Sequence, residues 1–139
     1  MRGSLRSAYA GWGDIQLSDI PRILVVEDEP LVAMVLENII EDMGASLVGP
    51  AASVAKALQL VEAGGFNGAL LDVNLRGERV DAVADALAAK GIPFVFTTGH
   101  GIEGIPSAHR HQPMLSKPFR DSDITDALNR YILAKQPIS

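Results

Sequence analysis

The 139-residue chain contains no cysteine, which excludes disulfides and any thiolate chemistry. No apolar stretch reaches the roughly 18 residues of a membrane span, so no contact with a membrane is expected. The N-terminal "MRGSLRSAYAGWGDIQLSDI" has no apolar h-region, so it does not read as a secretory signal. Basic residues are outnumbered by acidic ones, 12 to 17, leaving a net charge of -5. A nucleic-acid surface needs a basic stripe, and this composition offers none. A cysteine-free acidic chain fits a reducing compartment, and a cytoplasmic location is expected.

What is present is a core. Hydrophobic residues make up 47% of the chain and charged ones 21%, enough to bury the interior of one domain without staples. Residues 1–20 are rich in Gly and Ser and lack periodicity, and read as an arm. Residues 21–135 read as the domain, and 136–139 as a short tail.

From Pro21 onward, short apolar runs alternate with helical patterns. "RILVVE" (22–27) is a continuous apolar run, as a strand covered on both faces requires. Pro30, favoured at the first helical position, opens "PLVAMVLENIIEDMG", which Gly44 stops. "SLVGPA" (46–51) is a weaker strand; Ser53 then caps a helix ended by Gly64 and Gly65. "GALLD" (68–72), "PFVFTT" (93–98) and "MLSK" (114–117) are three further strands. Helices are expected at 80–91 and 121–135, whereas Gly104 and Pro106 spoil the stretch between strands 4 and 5.

Repeated β and α units imply a parallel sheet with helices on both faces. A flavodoxin-like order, 2-1-3-4-5, puts the weak second strand at an edge and the apolar runs 1, 3 and 4 inside. A short or irregular fourth helix is expected. Ligands of such sheets bind beyond the carboxyl ends of the strands, at the switch point.

Asp72 closes strand 3 there, beside Glu27, Asp28 and Glu29 at the end of strand 1. Carboxylates converging on one crevice repel unless a cation lies among them. Oxygen donors with no His or Cys nearby favour a hard ion, and Mg²⁺ is expected. Thr98 ends strand 4 and Lys117 ends strand 5, offering a hydroxyl and an ammonium to a phosphoryl group.

"ILVVEDEP", "LLDVNL", "FVFTTG" and "LSKPF" together resemble the receiver domain of two-component response regulators. The resemblance spans about residues 21–135. It implies that Asp72 accepts phosphate from a histidine kinase or histidine phosphotransfer protein. It further implies that Glu27, Asp28, Asp72 and the backbone carbonyl of Asn74 hold Mg²⁺, and that Thr98 and Lys117 contact the phosphoryl group. Asn74 and His100 (two residues past Thr98) are expected to tune the phosphoryl lifetime. Two positions depart from the family pattern: Glu27 replaces the usual Asp, and Met114 the aromatic that reports phosphorylation. With "PFVFTTGHG", the missing aromatic resembles the alphaproteobacterial FAT GUY subgroup, often single-domain and tied to stress signalling. Met114 is therefore the residue expected to couple phosphorylation to output.

The expected function is a phosphoacceptor rather than an enzyme, a monomer or weak dimer acting by contact with a downstream protein or by phosphorelay. No attached output domain is expected; the alternatives are a receiver cut from a hybrid sensor kinase, or a pseudo-receiver scaffold. A haloacid-dehalogenase-type phosphatase also phosphorylates a strand-end Asp, but it needs a second Asp where this chain has Asn74. The loop histidines His109 and His111 read as solvated.

Overall fold

The computed structural model describes residues 20–99 and 101–135. His100, residues 1–19 of the arm and the tail 136–139 lie outside the described residues. Strands β1 (Arg22–Val26), β2 (Ser46–Ala51), β3 (Gly68–Asp72), β4 (Phe94–Thr98) and β5 (Met114–Ser116) form one parallel sheet. Their order is β2-β1-β3-β4-β5, the flavodoxin-like arrangement the sequence pattern implies.

Two-sided burial explains the continuous apolar runs. Leu24, Val26, Ala69, Leu71, Phe94 and Phe96 face the layer formed with α2 (Val54–Ala63) and α3 (Asp81–Ala89). The alternate residues Ile23, Val25, Leu70 and Val95 face α1 (Pro30–Asp42) and α4 (Asp121–Ala127). Each such Leu, Ile, Val or Phe contributes about 1.5–3 kcal/mol by leaving water. The helix signals act locally too: Ser53 Oγ accepts the Lys56 N–H at 3.1 Å, capping α2. On α1 the polar stripe of Glu37, Asn38, Glu41 and Asp42 is exposed, but so are Leu31, Met34 and Val35. No helix among the described residues is long and apolar enough to cross a membrane.

Three features stand out, the first as expected and the other two departures from the sequence pattern. The stretch between β4 and β5 carries only two 3₁₀ turns, Gly101–Gly104 and Ser107–His109, the irregular fourth helix that Gly104 and Pro106 dictate. Residues 74–79 form a ribbon of two short antiparallel strands, Asn74–Leu75 and Glu78–Arg79, which the apolar periodicity does not announce. Its turn is built on left-handed residues, Arg76 at φ 52° and Gly77 at φ 87°, the mark of a tight hairpin. Last, the closing helix is not α throughout: after Ala127 it widens into a π turn, Leu128–Ile132, and ends in a 3₁₀ turn, Leu133–Lys135.

The widened turn seats Ile132 directly on the backbone of β3. A Cβ at Gly68 would overlap Ile132 Cγ2 and lie 2.9 Å from its Cδ1, so only glycine permits this approach. Gly68→Ala is expected to lower stability by roughly 1–3 kcal/mol through overpacking. Ile132→Ala, which removes Cγ1, Cγ2 and Cδ1, should cost less in that background than in the wild type. Urea denaturation of the four species of the cycle measures both, and additive losses would show that the two positions do not touch.

Candidate functional site

Parallel pairing brings the carboxyl ends of β1, β3, β4 and β5 to one crest. Asp72 ends β3, Glu27 follows β1, Thr98 ends β4, and Lys117 follows β5. Glu27 and Asp72 are buried, 2% and 5% exposed, and Thr98 is fully covered. Burying carboxylates costs several kcal/mol each unless a counter-charge is at hand. Lys117 supplies it. Its Nζ donates to Asp72 Oδ2 at 3.0 Å and to Glu29 Oε1 at 3.2 Å. It also stands 3.2 Å from Glu27 Oε1, an ion pair whose geometry falls short of a hydrogen bond. Asp72 Oδ1 accepts the Asn74 N–H at 3.1 Å, and Glu27 Oε2 the Glu29 N–H, also at 3.1 Å.

The electrostatics follow from that packing. Burial, and then the charge of Asp72, push the Glu27 carboxyl up from 4.5 to about 7, against the pull of the Glu29 N–H and Lys117. Burial pulls the Lys117 ammonium down, but the hydrogen bond and charge of Asp72, with Glu27 and Glu29, outweigh it and hold the group above its ordinary value. Lys117 therefore stays charged at any physiological pH.

Glu27, Glu29 and Asp72 each present a carboxylate oxygen, and these oxygens lie within 4.8 Å of one another. Glu27 Oε1 is buried and accepts no hydrogen bond. An all-oxygen cluster with an orphaned carboxylate oxygen suits a hard divalent ion such as Mg²⁺. Asp28, expected in the cluster, instead turns its Oδ2 toward Arg76 Nε, 3.5 Å away. Neither the Arg76 contact nor the ribbon that creates it carries a signal in the sequence beyond Gly77.

The remaining predicted residues fall at varying distances. Thr98 Oγ1 donates to the Gly101 carbonyl at 3.3 Å, tying the end of β4 to the first 3₁₀ turn. Asn74 begins the ribbon, and its side-chain oxygen accepts the Gly77 N–H at 2.8 Å. Met114 pairs with Phe96 at the start of β5, below the crest. It is 36% exposed and lines a groove with Ala127, Arg130 and Tyr131. His100 lies outside the described residues. His109 corrects the solvated reading of the loop histidines. It is buried against Phe94 and Phe96, with Nε2 2.7 Å from Asp85 Oδ1 on α3. Two buried rings on β4 shelter its imidazole, a tertiary contact that a polar loop sequence does not reveal.

A doubly wound sheet with these groups at its carboxyl crest is the arrangement of a signalling receiver. The signature of the response regulator receiver domain matches residues 23–129, and the chain belongs to that family, which acts in two-component signalling. Among solved structures it is similar to SdrG from Sphingomonas melonis Fr1, at 49% identity and a TM-score of 0.71. That match covers 79% of this chain and 94% of the other. It is 29% identical to the phyllosphere-induced regulator PhyR of Methylorubrum extorquens, over 82% of this chain but only 44% of PhyR. The chain thus spans less than half the length of that relative. At 21% identity, the receiver domain of sensor histidine kinase PA1611 from Pseudomonas aeruginosa PAO1 shares the fold, with a TM-score of 0.68 over 81% of this chain and 97% of that one. Its structure holds a magnesium ion in the active-site cleft.

The raised pKa of Glu27 has a thermodynamic consequence. A carboxyl that binds its proton more tightly when folded contributes stability fully present below pH 4.5 and lost as pH rises through about 7. For the metal-free protein the loss is on the order of 3 kcal/mol. Glu27→Gln is expected to flatten that slope and to be the more stable variant at pH 8 without metal. Chemical denaturation at pH 5 and pH 8 in EDTA measures it; an unchanged slope in the variant would assign the pH dependence elsewhere.

Proposed function

We propose that this receiver takes a phosphoryl group onto Asp72 from a phosphohistidine, in a Mg²⁺-dependent reaction, and signals through protein contact or phosphorelay. The observation that carries this reading is Asp72 itself: a buried carboxylate beside a second buried acid, with the Lys117 ammonium bonded to it at 3.0 Å. A structural ion pair needs one acid for one lysine, whereas here three acids surround the same Nζ.

In the transfer, a carboxylate oxygen of Asp72 forms a bond to phosphorus while the bond to the donor imidazole nitrogen breaks. The electron pair of that bond returns to the imidazole, and an acyl phosphate results. The chain is thereby the acceptor of the group and not a catalyst that turns over a substrate. Lys117 is placed to follow charge from the carboxylate to the phosphoryl oxygens, since its Nζ already bonds Asp72. Thr98 gives a hydroxyl to one of those oxygens by giving up the Gly101 carbonyl. Glu27, Asp28, Asp72 and the Asn74 carbonyl would hold Mg²⁺, which would offset the negative charge of the phosphoryl group. Asn74 and His100 set how readily water reaches the product. The donor is a histidine kinase or phosphotransfer protein. Residues 21–135 are the working unit of this transfer.

Loss of the Thr98–Gly101 bond also gives the signal an exit. The two 3₁₀ turns that follow have little of a helix's stiffness, so the segment 101–112 is expected to rearrange on phosphorylation. Met114 sits on a partly exposed groove next to Tyr131, a position for an adaptable contact and not for a buried reporter.

Incubation with acetyl phosphate and Mg²⁺ should add one labile phosphate detectable by intact mass. Asp72→Asn should abolish it, and undiminished labelling of that variant would sink the assignment. Beryllofluoride should change hydrogen exchange across residues 101–112 in the wild type. Thr98→Ala should still accept phosphate yet show at least a severalfold smaller change in that segment; an identical response would place the coupling elsewhere.

A further inference from the structure

One of the acids that resemblance assigns to the metal, Asp28, is not with the others. Its carboxylate is largely buried and turned to Arg76 Nε at 3.5 Å, while Arg76 itself is 71% exposed. Three features hold Arg76 in this place. Its backbone is left-handed, φ 52°, a conformation non-glycine residues seldom adopt. The ribbon around it is fastened at one end to Asp72 through the Asn74 N–H. At the other it is fastened to the start of α2, where Glu78 Oε1 accepts the Val54 N–H at 3.1 Å. The tight turn thus returns the guanidinium across the crest to the loop after β1.

We infer that Arg76 acts as a resident counter-ion that competes with the divalent cation for Asp28. It would be a positioning residue that sets metal affinity and is displaced when the metal binds. This inference rests on the proposed Mg²⁺ site. A cation on Asp28 Oδ2 and a guanidinium within 4 Å of the same oxygen repel, to an extent that the exposure of Arg76 screens. Arg76, whose side chain is 71% exposed, is the group with room to swing aside. Displacement is local, because Asn74 and Glu78 hold the ribbon through bonds that do not involve Asp28. Linkage makes the competition reciprocal: whatever factor Arg76 takes from Mg²⁺ affinity, Mg²⁺ takes from the Arg76–Asp28 pair.

The test is Mg²⁺ binding by calorimetry at fixed low ionic strength, without any phosphodonor. Arg76→Asn suits the left-handed turn, removes the charge and is too short to reach Asp28. It should bind Mg²⁺ roughly two- to fivefold more tightly than wild type, the range that an exposed ion pair is worth. Arg76→Gly, also at ease at this φ, should give the same gain. Arg79→Gln is the charge-matched control: Arg79 lies in the same ribbon but pairs with Asp81, 3.1 Å away, and should leave the affinity unchanged. In wild type, the NMR signal of the Arg76 Nε–H should shift with the same midpoint as the calorimetric titration. Equal affinities for Arg76→Asn and Arg79→Gln would overturn the inference, since only the general field would then matter. A wild type that binds Mg²⁺ while the Arg76 signal stays fixed would overturn it too, leaving the metal site intact. A wild type that binds no Mg²⁺ would overturn the metal site and this inference together.

Discussion

The ammonium of Lys117 is the group on which the rest of the site depends. It comes from beyond the edge strand β5 and must reach across the crest to acids on β1 and β3. That reach requires the strand order β2-β1-β3-β4-β5, because any other neighbour of β3 would displace β4 and β5 from it. The same order buries β1, β3 and β4 on both faces, so the hydrophobic core and the charge cluster are two results of one topology. Burial of the core is the dominant favourable term, and it fixes where the charges meet. The charges in turn oppose it: an acid that is easier to protonate folded than unfolded costs stability at neutral pH. Such a cost is typical of functional positions, where a local preference is set against the fold.

Asp28 and Glu27 divide this burden differently. Glu27 lies inside, with an unbonded oxygen and a raised pKa; Asp28 lies at the rim, neutralised by an arginine on a neighbouring ribbon. Both residues stand side by side in "VVEDEP", yet one faces the core and the other the mouth, as alternate residues leaving a strand must. The extra methylene of Glu27, compared with the family's usual aspartate, lets its carboxylate extend to Lys117 and Glu29.

Most of the fold was legible because it rests on periodicity. Uninterrupted runs such as "RILVV" and "FVFTT" are strands with two covered faces, and Ser53, Pro30 and Gly64 mark helix ends for stereochemical reasons. The acids at strand ends, Thr98 and Lys117 were also legible, since topology alone carries them to one crest. What escaped were features fixed by contact between distant residues. The π turn at Leu128–Ile132 is tied to the bare backbone of Gly68, 60 residues earlier in the chain. The burial of His109 depends on Phe94 and Phe96 and on Asp85 across the sheet edge. The Arg76 turn contradicts the ordinary preference of arginine for negative φ. No local pattern encodes any of these.

The segment after β4 has a mechanical character of its own. An α-helix yields as a unit because each turn's hydrogen bonds support the next. The turns Gly101–Gly104 and Ser107–His109 share no such ladder, being separated by Ile105 and Pro106. The first is held at Thr98, the second by an imidazole lodged between two phenylalanines and an aspartate. Between them Ile105 is buried in the core, so the two turns are anchored separately. If Asp72 takes a phosphoryl group as proposed, the two turns would respond as separate steps within 101–112 and not as one unit, so cooperativity along this surface would be low. A partner that touches residues near 101 would then read the first step, and one that grips the turn at His109 the second.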